Sequence, residues 1–361
     1  MNCKLLSSFN LIVILFLIAI IGGCKESIPG ADEPGPPWVI FNNENSPLKD
    51  DKINSITIDG AQRVWFATNN GAYSFRSNSW GVIKDSIAFP IYSQQGIVYS
   101  SRVSSITQGM DGSLWYGLYG GGAVRYNQFS QTRVWQRYTQ SSGLIYEYVL
   151  GVASEKLQLG EVWCVTAIGI SRFTPSRSEP DKGTWQTYTS SNTPQLTSNN
   201  IRAVTVHPID NSIWFGTYDG VLISYDGDRQ WGNFPIPPPY AFPITSIAFD
   251  LSNDIWLGKW EGASSFSPET GIWTHYNSET MNNIFPHGSI NAVTTDLQTT
   301  RWFGSNAGLI RLSDTTWTVF NRANSPLPND TVNALSYDGR GNLWIGTMNG
   351  VAVFNEQGTR F

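Results

Sequence analysis

The chain has 361 residues, of which 40% are apolar and only 14% are charged, with 34 glycines and a formal net charge of −5. This is the profile of a β-rich extracytoplasmic protein, and it excludes a mainly helical enzyme. The sequence shows no stripe of Lys and Arg residues, so nucleic acid is not an expected partner.

Residues 1–24 resemble a bacterial lipoprotein signal. Lys4 gives a positively charged start, an apolar run extends from Leu11 to Ile21, and Ile21-Gly-Gly-Cys24 ends the segment. The small residues before Cys24 and the shortness of the apolar run favour this interpretation over an ordinary secretory signal or a single membrane anchor. We therefore expect cleavage before Cys24, lipidation of Cys24, and attachment to a membrane through that lipid.

Residues 25–37 are predicted to be a Pro/Gly-rich tether. Residue 25 is Lys rather than Asp, which, by resemblance to lipoprotein sorting rules, favours the outer membrane. The expected location is therefore the bacterial cell envelope, with the protein lipid-anchored at the outer membrane, on its periplasmic or its surface side. Processing leaves Cys164 as the only thiol besides the lipidated Cys24, so no intrachain disulfide is expected.

From residue 38 onward the chain repeats one unit seven times. Each unit has a short run led by Ile or Val, then a turn and a Trp, and the seven tryptophans are Trp65, Trp115, Trp163, Trp214, Trp256, Trp302 and Trp344. They span 279 residues in six steps, which is a mean period of 46.5 residues. Each unit divides into four strand-like runs rich in β-branched and aromatic residues. A period of about 40–50 residues with four strands per unit predicts propeller blades.

The fourth run of a unit carries the signature Trp-x-x-Tyr/Phe, and the seventh unit lacks it. The missing copy lies at the other end of the chain, as Trp38-Val-Ile-Phe41. The residues that follow it, 42–51, also resemble residues 321–330. The sequence therefore predicts an all-β fold, a seven-bladed β-propeller over residues 38–361 that is closed by an N-terminal outer strand.

The fourteen repeat tryptophans are interpreted as structural residues that fill the space between neighbouring sheets, each with a hydrogen-bond partner for its indole N–H. The fifteenth, Trp260, falls outside both repeat positions. It lies in the loop between the second and third runs of its unit. In such folds these loops share one face with the connections between blades, several of which are long and aromatic.

Aromatic, amide and carboxylate side chains in the second-to-third loops suit a polar ligand with apolar faces, such as a sugar or a peptide. The candidate ligand-binding residues are Trp260, Asp219, Glu261, Tyr218, Tyr119, Asn70 and Asn349. The alternative is that these side chains only solvate a central funnel. Asp219 and Glu261 are also the residues that would act as acid and base if the protein were an enzyme.

Motifs for catalysis or metal binding are missing from the sequence. It contains no His-x-x-x-His, His-Glu-x-x-His, paired Cys, Gly-x-Ser-x-Gly or Asp-x-Asp-x-Asp-Gly pattern. We therefore expect no cofactor and no metal site, and we place no residue in a catalytic role in the preferred interpretation.

The pattern Asp338-Gly-Arg-Gly-Asn-Leu-Trp-Ile-Gly-Thr-Met-Asn-Gly-Val351 resembles the two-component regulator propeller repeat. The resemblance extends over residues 38–361, and blades one and three depart from it because Gly is missing after Trp65 and Trp163. The resemblance implies a propeller like those of periplasmic sensors that recognise glycan-derived ligands. In this chain the propeller is expected to be free-standing. A second resemblance, to streptogramin lyase, is architectural.

Three functions stay open at this point. The preferred one is a lipid-anchored module that binds a glycan fragment or a partner protein on the face with the aromatic loops. The alternatives are a lyase or hydrolase that acts at the central funnel, and a scaffold within an envelope complex.

Overall fold

The structure is a computed structural model that describes residues 34–361 apart from 83–88, 94–95, 101, 128–134, 157–159, 177, 180–181, 227–229, 282–284, 286 and 297–298. The signal predicted for residues 1–24, with Cys24, and most of the predicted tether lie outside the described residues. Over the described ranges, none of the helical segments has the length and apolar character that a membrane crossing requires.

The strands of the described chain form seven four-stranded antiparallel sheets, which confirms the predicted all-β propeller. Blades 1 to 7 are numbered here by their first strands in chain order. These first strands are Ile53–Ile58, Val103–Gln108, Val149–Ser154, Ile201–Val206, Ile244–Phe249, Ile290–Thr295 and Val332–Tyr337. Each of them contacts the first strands of both neighbouring blades, so the first strands form the innermost ring.

The second strands are almost entirely buried because a sheet packs on each of their faces. They are Val64–Thr68, Leu114–Leu118, Val162–Thr166, Ile213–Thr217, Ile255–Lys259, Arg301–Ser305 and Leu343–Thr347. The third strands are Gly71–Arg76, Gly122–Tyr126, Gly169–Pro175, Val221–Tyr225, Ala263–Ser267, Gly308–Ser313 and Gly350–Phe354.

The fourth strands lie at the outer edge of each blade. In blades 1 to 6 they are Ser79–Val82, Trp135–Tyr138, Gly183–Tyr188, Trp231–Pro235, Ile272–Tyr276 and Thr316–Phe320. An additional hairpin, Phe89–Ser93 with Gly96–Ser100, stands between blades 1 and 2. A turn of 3-10 helix, Gln140–Ser142, follows the fourth strand of blade 2.

The fourth strand of blade 7 comes from the start of the folded region, as predicted. Trp38–Phe41 pairs antiparallel with the third strand of blade 7, and Trp38 lies opposite Phe354. The Trp38 ring contacts the Phe354 ring at 4.5 Å between centroids. The ring of blades is therefore closed by main-chain pairing between the two ends of residues 38–361. The outer edge of the third strand of blade 7 is paired as a result.

The core consists of apolar clusters between adjacent blades, and each contains one second-strand tryptophan. Trp344 of blade 7 packs with Ile53 and Phe66 of blade 1, and Trp302 of blade 6 packs with Val332 of blade 7. The fourth-strand tryptophans cover these clusters from the outside while partly buried. The prediction that the repeat tryptophans fill the space between sheets is confirmed.

Five of the seven second-strand indole N–H groups donate to a side chain in the turn after the first strand. In blades 1, 5 and 7 the donor bonds to the aspartate six residues earlier, over 2.9 Å from Trp65 to Asp59 and 2.8 Å in each of the other two pairs. The prediction is wrong for Trp302 and Trp185, whose indole nitrogens are buried without a hydrogen-bond partner. Both rings are packed, so their apolar area holds them in place without that bond.

A ring of side-chain hydrogen bonds ties the innermost strands together. The pairing of first and second strands is irregular at the second residue of the first strand in every blade. In five blades the side chain at this position donates to a main-chain carbonyl at the start of the next blade's first strand. The donors are Asn54, Ser104, Thr245, Asn291 and Asn333. Blades 3 and 4 differ, with Leu150 and Arg202 at this place.

Candidate ligand-binding face

Antiparallel strands place the second-to-third loops and the blade-to-blade connections at one end of every sheet. We call this end the loop face, and the opposite end, with the first-to-second and third-to-fourth turns, the turn face. All seven predicted binding residues lie in second-to-third loops and therefore on the loop face. The structure thus collects them on one side of the molecule.

A hydroxyl at the end of the second strand shapes most of these loops. Thr68 Oγ1 donates to the carbonyl of Gly71 over 2.9 Å and accepts from the N–H of Asn70 over 3.0 Å. Thr347 makes the equivalent bonds, including one from the N–H of Asn349 over 3.1 Å. The main chain of Asn70 and Asn349 is therefore fixed by its own loop. The side chain of Asn349 is exposed and that of Asn70 is half-buried.

Tyr218 and Trp260 form an exposed aromatic pair across blades 4 and 5. Their ring centroids are 5.2 Å apart with the planes at 83°, and the side chains are 40% and 46% exposed. The guanidinium of Arg202 lies 5.3 Å from the Tyr218 ring centroid. Two rings held edge to face, with a cation on one of them, make a rigid apolar surface beside the ring of first strands.

A second aromatic group lies at blades 2 and 3. Tyr119 and Tyr148 meet edge to face at 4.9 Å, and Tyr146 contacts Tyr148 at 5.2 Å. The guanidinium of Arg102 stacks 4.2 Å from the Tyr119 ring centroid. The two groups thus repeat one arrangement, a loop tyrosine between an arginine and a second exposed ring.

Exposed aromatic side chains are confined to the loop face. Among the described residues, every exposed Trp, Tyr or Phe side chain lies there, and these are Tyr119, Tyr148, Tyr218 and Trp260. The large apolar side chains that are exposed on the turn face are not aromatic; Ile209 and Leu251 are examples. Single exposed aliphatic residues are ordinary, whereas aromatic residues gathered on one face are typical of a binding surface.

The two predicted carboxylates differ in their surroundings. Asp219 accepts a short hydrogen bond from the Thr217 hydroxyl, within its own loop. Glu261 is half-buried, and its charge lies close enough to Lys259 to raise the pKa of that amine. Asp219 therefore supports its loop, and the structure gives Glu261 a partner of opposite sign.

Lys259 is a functional candidate that sequence reasoning missed. It is 1% exposed and donates from Nζ to the carbonyl of Tyr240 over 3.1 Å. Burial lowers the pKa of this amine to about 8, against a raising effect from Glu261. It occupies the place where Thr or Ser closes the second strand in five other blades, and this departure from the repeat was the available signal.

Aromatic residues of the long connections have mixed roles. Phe285 is fully buried, and Tyr240 stacks on His275 at 4.1 Å. Burial, followed by the charge of Lys259, lowers the pKa of His275 to about 4. These rings cap the ends of blades, whereas Tyr148 is exposed. The side chains of the hairpin at 89–100 lie outside the described residues.

Comparisons with known proteins identify the repeat. The family model "Two component regulator propeller" matches residues 326–349, which contain the first two strands of blade 7. A comparison with curated protein sequences gives no match.

Solved structures share the fold at low sequence identity. The extracellular domain of the putative hybrid two component system BT3049 from B. thetaiotaomicron is 20% identical over 89% of this chain and 41% of its own, with a TM-score of 0.70. Virginiamycin B lyase from Staphylococcus aureus is 16% identical over 88% of this chain and 98% of its own, with a TM-score of 0.64.

PorZ from Porphyromonas gingivalis, described as a surface component of the type-IX secretion system, is 15% identical over 85% of this chain and 47% of its own, with a TM-score of 0.63. The match to BT3049 covers 41% of that domain, so this chain spans about two-fifths of its length. The family match agrees with the resemblance seen in the sequence: the chain is a seven-bladed propeller, and its last blade fits the two-component regulator propeller repeat.

Proposed function

We propose that this protein is an extracytoplasmic binding module whose loop face takes up a glycan fragment. The observation that supports this most is the confinement of exposed aromatic rings to that face, among them the Tyr218–Trp260 pair. The apolar faces of sugar rings stack on exposed aromatic rings, and guanidinium and amide groups bind their hydroxyls. Asn70 and Asn349 provide amides in the adjacent blades 1 and 7, and Glu261 provides a carboxylate in the loop of Trp260.

The preformed geometry of the face favours binding without a large rearrangement. Tyr218 is held between Arg202 and Trp260, and its main-chain N–H donates to the carbonyl of Asn200 over 2.8 Å. The N–H of Trp260 donates to Pro243 over 3.1 Å. A surface that is ordered before the ligand arrives loses less conformational entropy on binding.

The test is a glycan array probed with the labelled full-length protein, followed by titration of a retained oligosaccharide. Trp260→Ala and Tyr218→Ala should each weaken binding by about tenfold or more, since loss of one stacking ring costs about 1–3 kcal/mol in comparable base-stacking sites. Ile209→Ala, which removes an exposed side chain of the turn face, serves as the control and should bind like the wild type. Retention that survives both aromatic substitutions would refute the proposal.

An enzymatic role on the same face is the second candidate, since a lyase shares the fold over nearly its whole length. The same array experiment separates the two. Oligosaccharide that returns intact after prolonged incubation supports a binding module. Cleavage that is lost in the double variant Asp219→Ala and Glu261→Ala would replace it with a lyase or hydrolase.

A partner protein on the loop face is the third outcome, and it corresponds to a scaffold in the cell envelope. A stable complex lost on Trp260→Ala, with no glycan retained on the array, would establish it.

We also propose that the module is held at the outer membrane by a lipid on Cys24. The support is the apolar run that ends at Ile21-Gly-Gly-Cys24. Metabolic labelling with a palmitate analogue should mark the wild type and leave Cys24→Ser unlabelled. Labelling of that variant would contradict the anchor.

A further inference from the structure

A cavity on the turn face, between blades 6 and 7, has features that the loop face does not explain. Its volume is about 190 Å³, and its walls include Trp302, Arg311, Arg340 and Arg360. Typical pockets for drug-sized ligands measure about 300–1,000 Å³, so this one suits a small molecule or a single residue of a larger one.

The junction of blades 6 and 7 lacks a side chain that fills the corresponding space at the junction of blades 5 and 6, where blade 6 alone begins its second strand with an arginine. At the junction of blades 5 and 6, Arg301 reaches back to Asp250 over 2.6 Å and fills the space beside the turn. The equivalent residue of blade 7 is Leu343, which lines the cavity and is too short and apolar to reach Asp296 of blade 6. The space taken by a guanidinium at one junction is therefore open at the next.

A buried donor lines this space. Trp302 is 4% exposed, and its indole nitrogen has no hydrogen-bond partner. The equivalent indoles of blades 5 and 7 donate to Asp250 and Asp338 over 2.8 Å. A buried N–H without an acceptor costs about 1–3 kcal/mol, so an acceptor from a ligand would be favourable here.

Three arginines and two carboxylates, Asp296 and Glu356, line the cavity, so positive charge is in excess there in a chain whose net charge is −5. Arg311 is paired with Glu356 and stacks 5.5 Å from the Trp302 ring, while its buried Nε has no partner. Arg340 and Arg360 are exposed at the rim and also line an adjoining shallow recess. The main chain of Arg360 is fixed by Asn342, which bonds to its N–H and its carbonyl.

We propose that this cavity binds a small anionic molecule through a carboxylate or phosphate group. The oxygens accept from the indole N–H of Trp302 and from the guanidinium groups of Arg340 and Arg360. Guanidinium groups suit this role because their planar donors match the oxygens of both anions. The site is separate from the loop face, so it goes beyond the proposed function and does not depend on it.

The test is calorimetric titration of the full-length protein at low ionic strength with inorganic phosphate, with galacturonate, and with galactose as the neutral control. We expect at least one anion to bind with a millimolar or lower dissociation constant and galactose to give no heat. The double variant Arg340→Gln and Arg360→Gln should bind at least tenfold more weakly. Arg322→Gln, an exposed arginine of the loop face, is the matched control. If neither anion gives binding heat, or if the double variant binds with the same affinity as the wild type, the proposal is overturned.

A second pair of variants separates binding from folding. Trp302→Phe and Trp344→Phe remove the same atoms from equivalent positions, but only Trp344 has a protein acceptor. Trp302→Phe should therefore lower the melting temperature less than Trp344→Phe, and it should weaken anion binding several-fold. Binding that is unchanged in Trp302→Phe would contradict the role assigned to its N–H.

Discussion

At the residue scale, the residue just after the first strand accepts a hydrogen bond from the second-strand tryptophan in blades 1, 3, 5 and 7. In blade 3 this residue is Glu155, which accepts from the Trp163 indole over 3.3 Å. Burial raises the pKa of Glu155 to about 7, and the negative charge of Glu161 acts in the same direction. Glu161 itself is paired with Arg172 over 3.3 Å. Glu155 is therefore a half-buried carboxyl group with a pKa of about 7.

This raised pKa predicts a pH dependence of stability. The folded state holds a proton on Glu155 up to a pH of about 7, whereas the unfolded state releases it near the ordinary glutamate pKa of 4.5. The contribution of Glu155 is therefore fully present below pH 4.5 and is lost as the pH rises through 7. Glu155→Gln should be more stable than the wild type at pH 8, by about 1–3 kcal/mol, and the difference should shrink toward pH 4.5.

Urea denaturation between pH 4.5 and pH 8.5 measures this difference. Glu279→Gln, which changes an exposed glutamate, is the control and should follow the wild-type profile. A constant difference between Glu155→Gln and the wild type over this range would show that Glu155 does not titrate there.

Sequence reasoning reached some of these residues and not others. The seven core tryptophans were predictable because they recur at one period. Trp302 could not be recognised as the exception, because Asp296 stands six residues before it, as an aspartate does in blades 1, 5 and 7, and only the structure shows that the indole bond is not made. The burial of Lys259 was also not predicted, because its carbonyl partner, Tyr240, lies nineteen residues earlier in a connection outside the repeat. Contacts between blades are set by the fold and are not visible as spacing within one unit.

At the scale of the element, the irregularity in each first strand has a clear role. It turns the second residue toward the next blade, where Asn54 donates to Val103 over 2.9 Å and Asn333 donates to Ile53 over 3.1 Å. These bonds link the innermost strands, which have little side-chain area to bury at the centre of the ring. The ring of hydrogen bonds is therefore part of what holds the blades in register.

Removing one of these donors should cost a measurable amount of stability. Asn333→Ala leaves the carbonyl of Ile53 without this partner, and we expect the free energy of unfolding to fall by about 1 kcal/mol. Asn349→Ala, which changes an exposed loop asparagine, should have less than half of that effect. Equal effects in a urea titration would show that the inter-blade bond does not contribute.

Two connections show how far the repeat predicts local structure. Residues 42–51 and 321–330 were matched by sequence, and the structure gives them the same bonds. The N–H of Asn43 donates to Asp51 over 2.9 Å, and the N–H of Arg322 donates to Asp330 over 2.7 Å. The aromatic connections after blades 2 and 4 have no such counterpart. The sequence predicted their face, whereas the pairing of Tyr119 with Tyr148 required the structure.

At the scale of the whole molecule, seven similar sheets make a ring only if the last is joined to the first. Trp38–Phe41 makes that joint by pairing with Gly350–Phe354. Its side chains pack on both sides of blade 7, since Trp38 contacts Phe320 of blade 6 and Phe41 contacts Phe75 of blade 1. The loop face and the turn-face cavity both depend on this closure, because each is built from adjacent blades.

The segment Asn355–Phe361 strengthens the same joint from the turn face. Its main chain bonds to the residues before Trp38, through Gly35 to Thr359 over 2.8 Å and Asn355 to Pro37 over 2.9 Å. Phe361 packs against Phe75 and Trp344. The two ends of the folded region are thus fastened to each other and to blade 1.

The most direct test of this closure is the melting temperature of the full-length protein after deletion of residues 34–41. Four partly buried apolar side chains lose their contacts, at about 1.5–3 kcal/mol for each one fully buried. We predict a fall in melting temperature of on the order of 10 °C, or loss of the cooperative transition. A melting temperature equal to that of the wild type would contradict the closed seven-bladed ring.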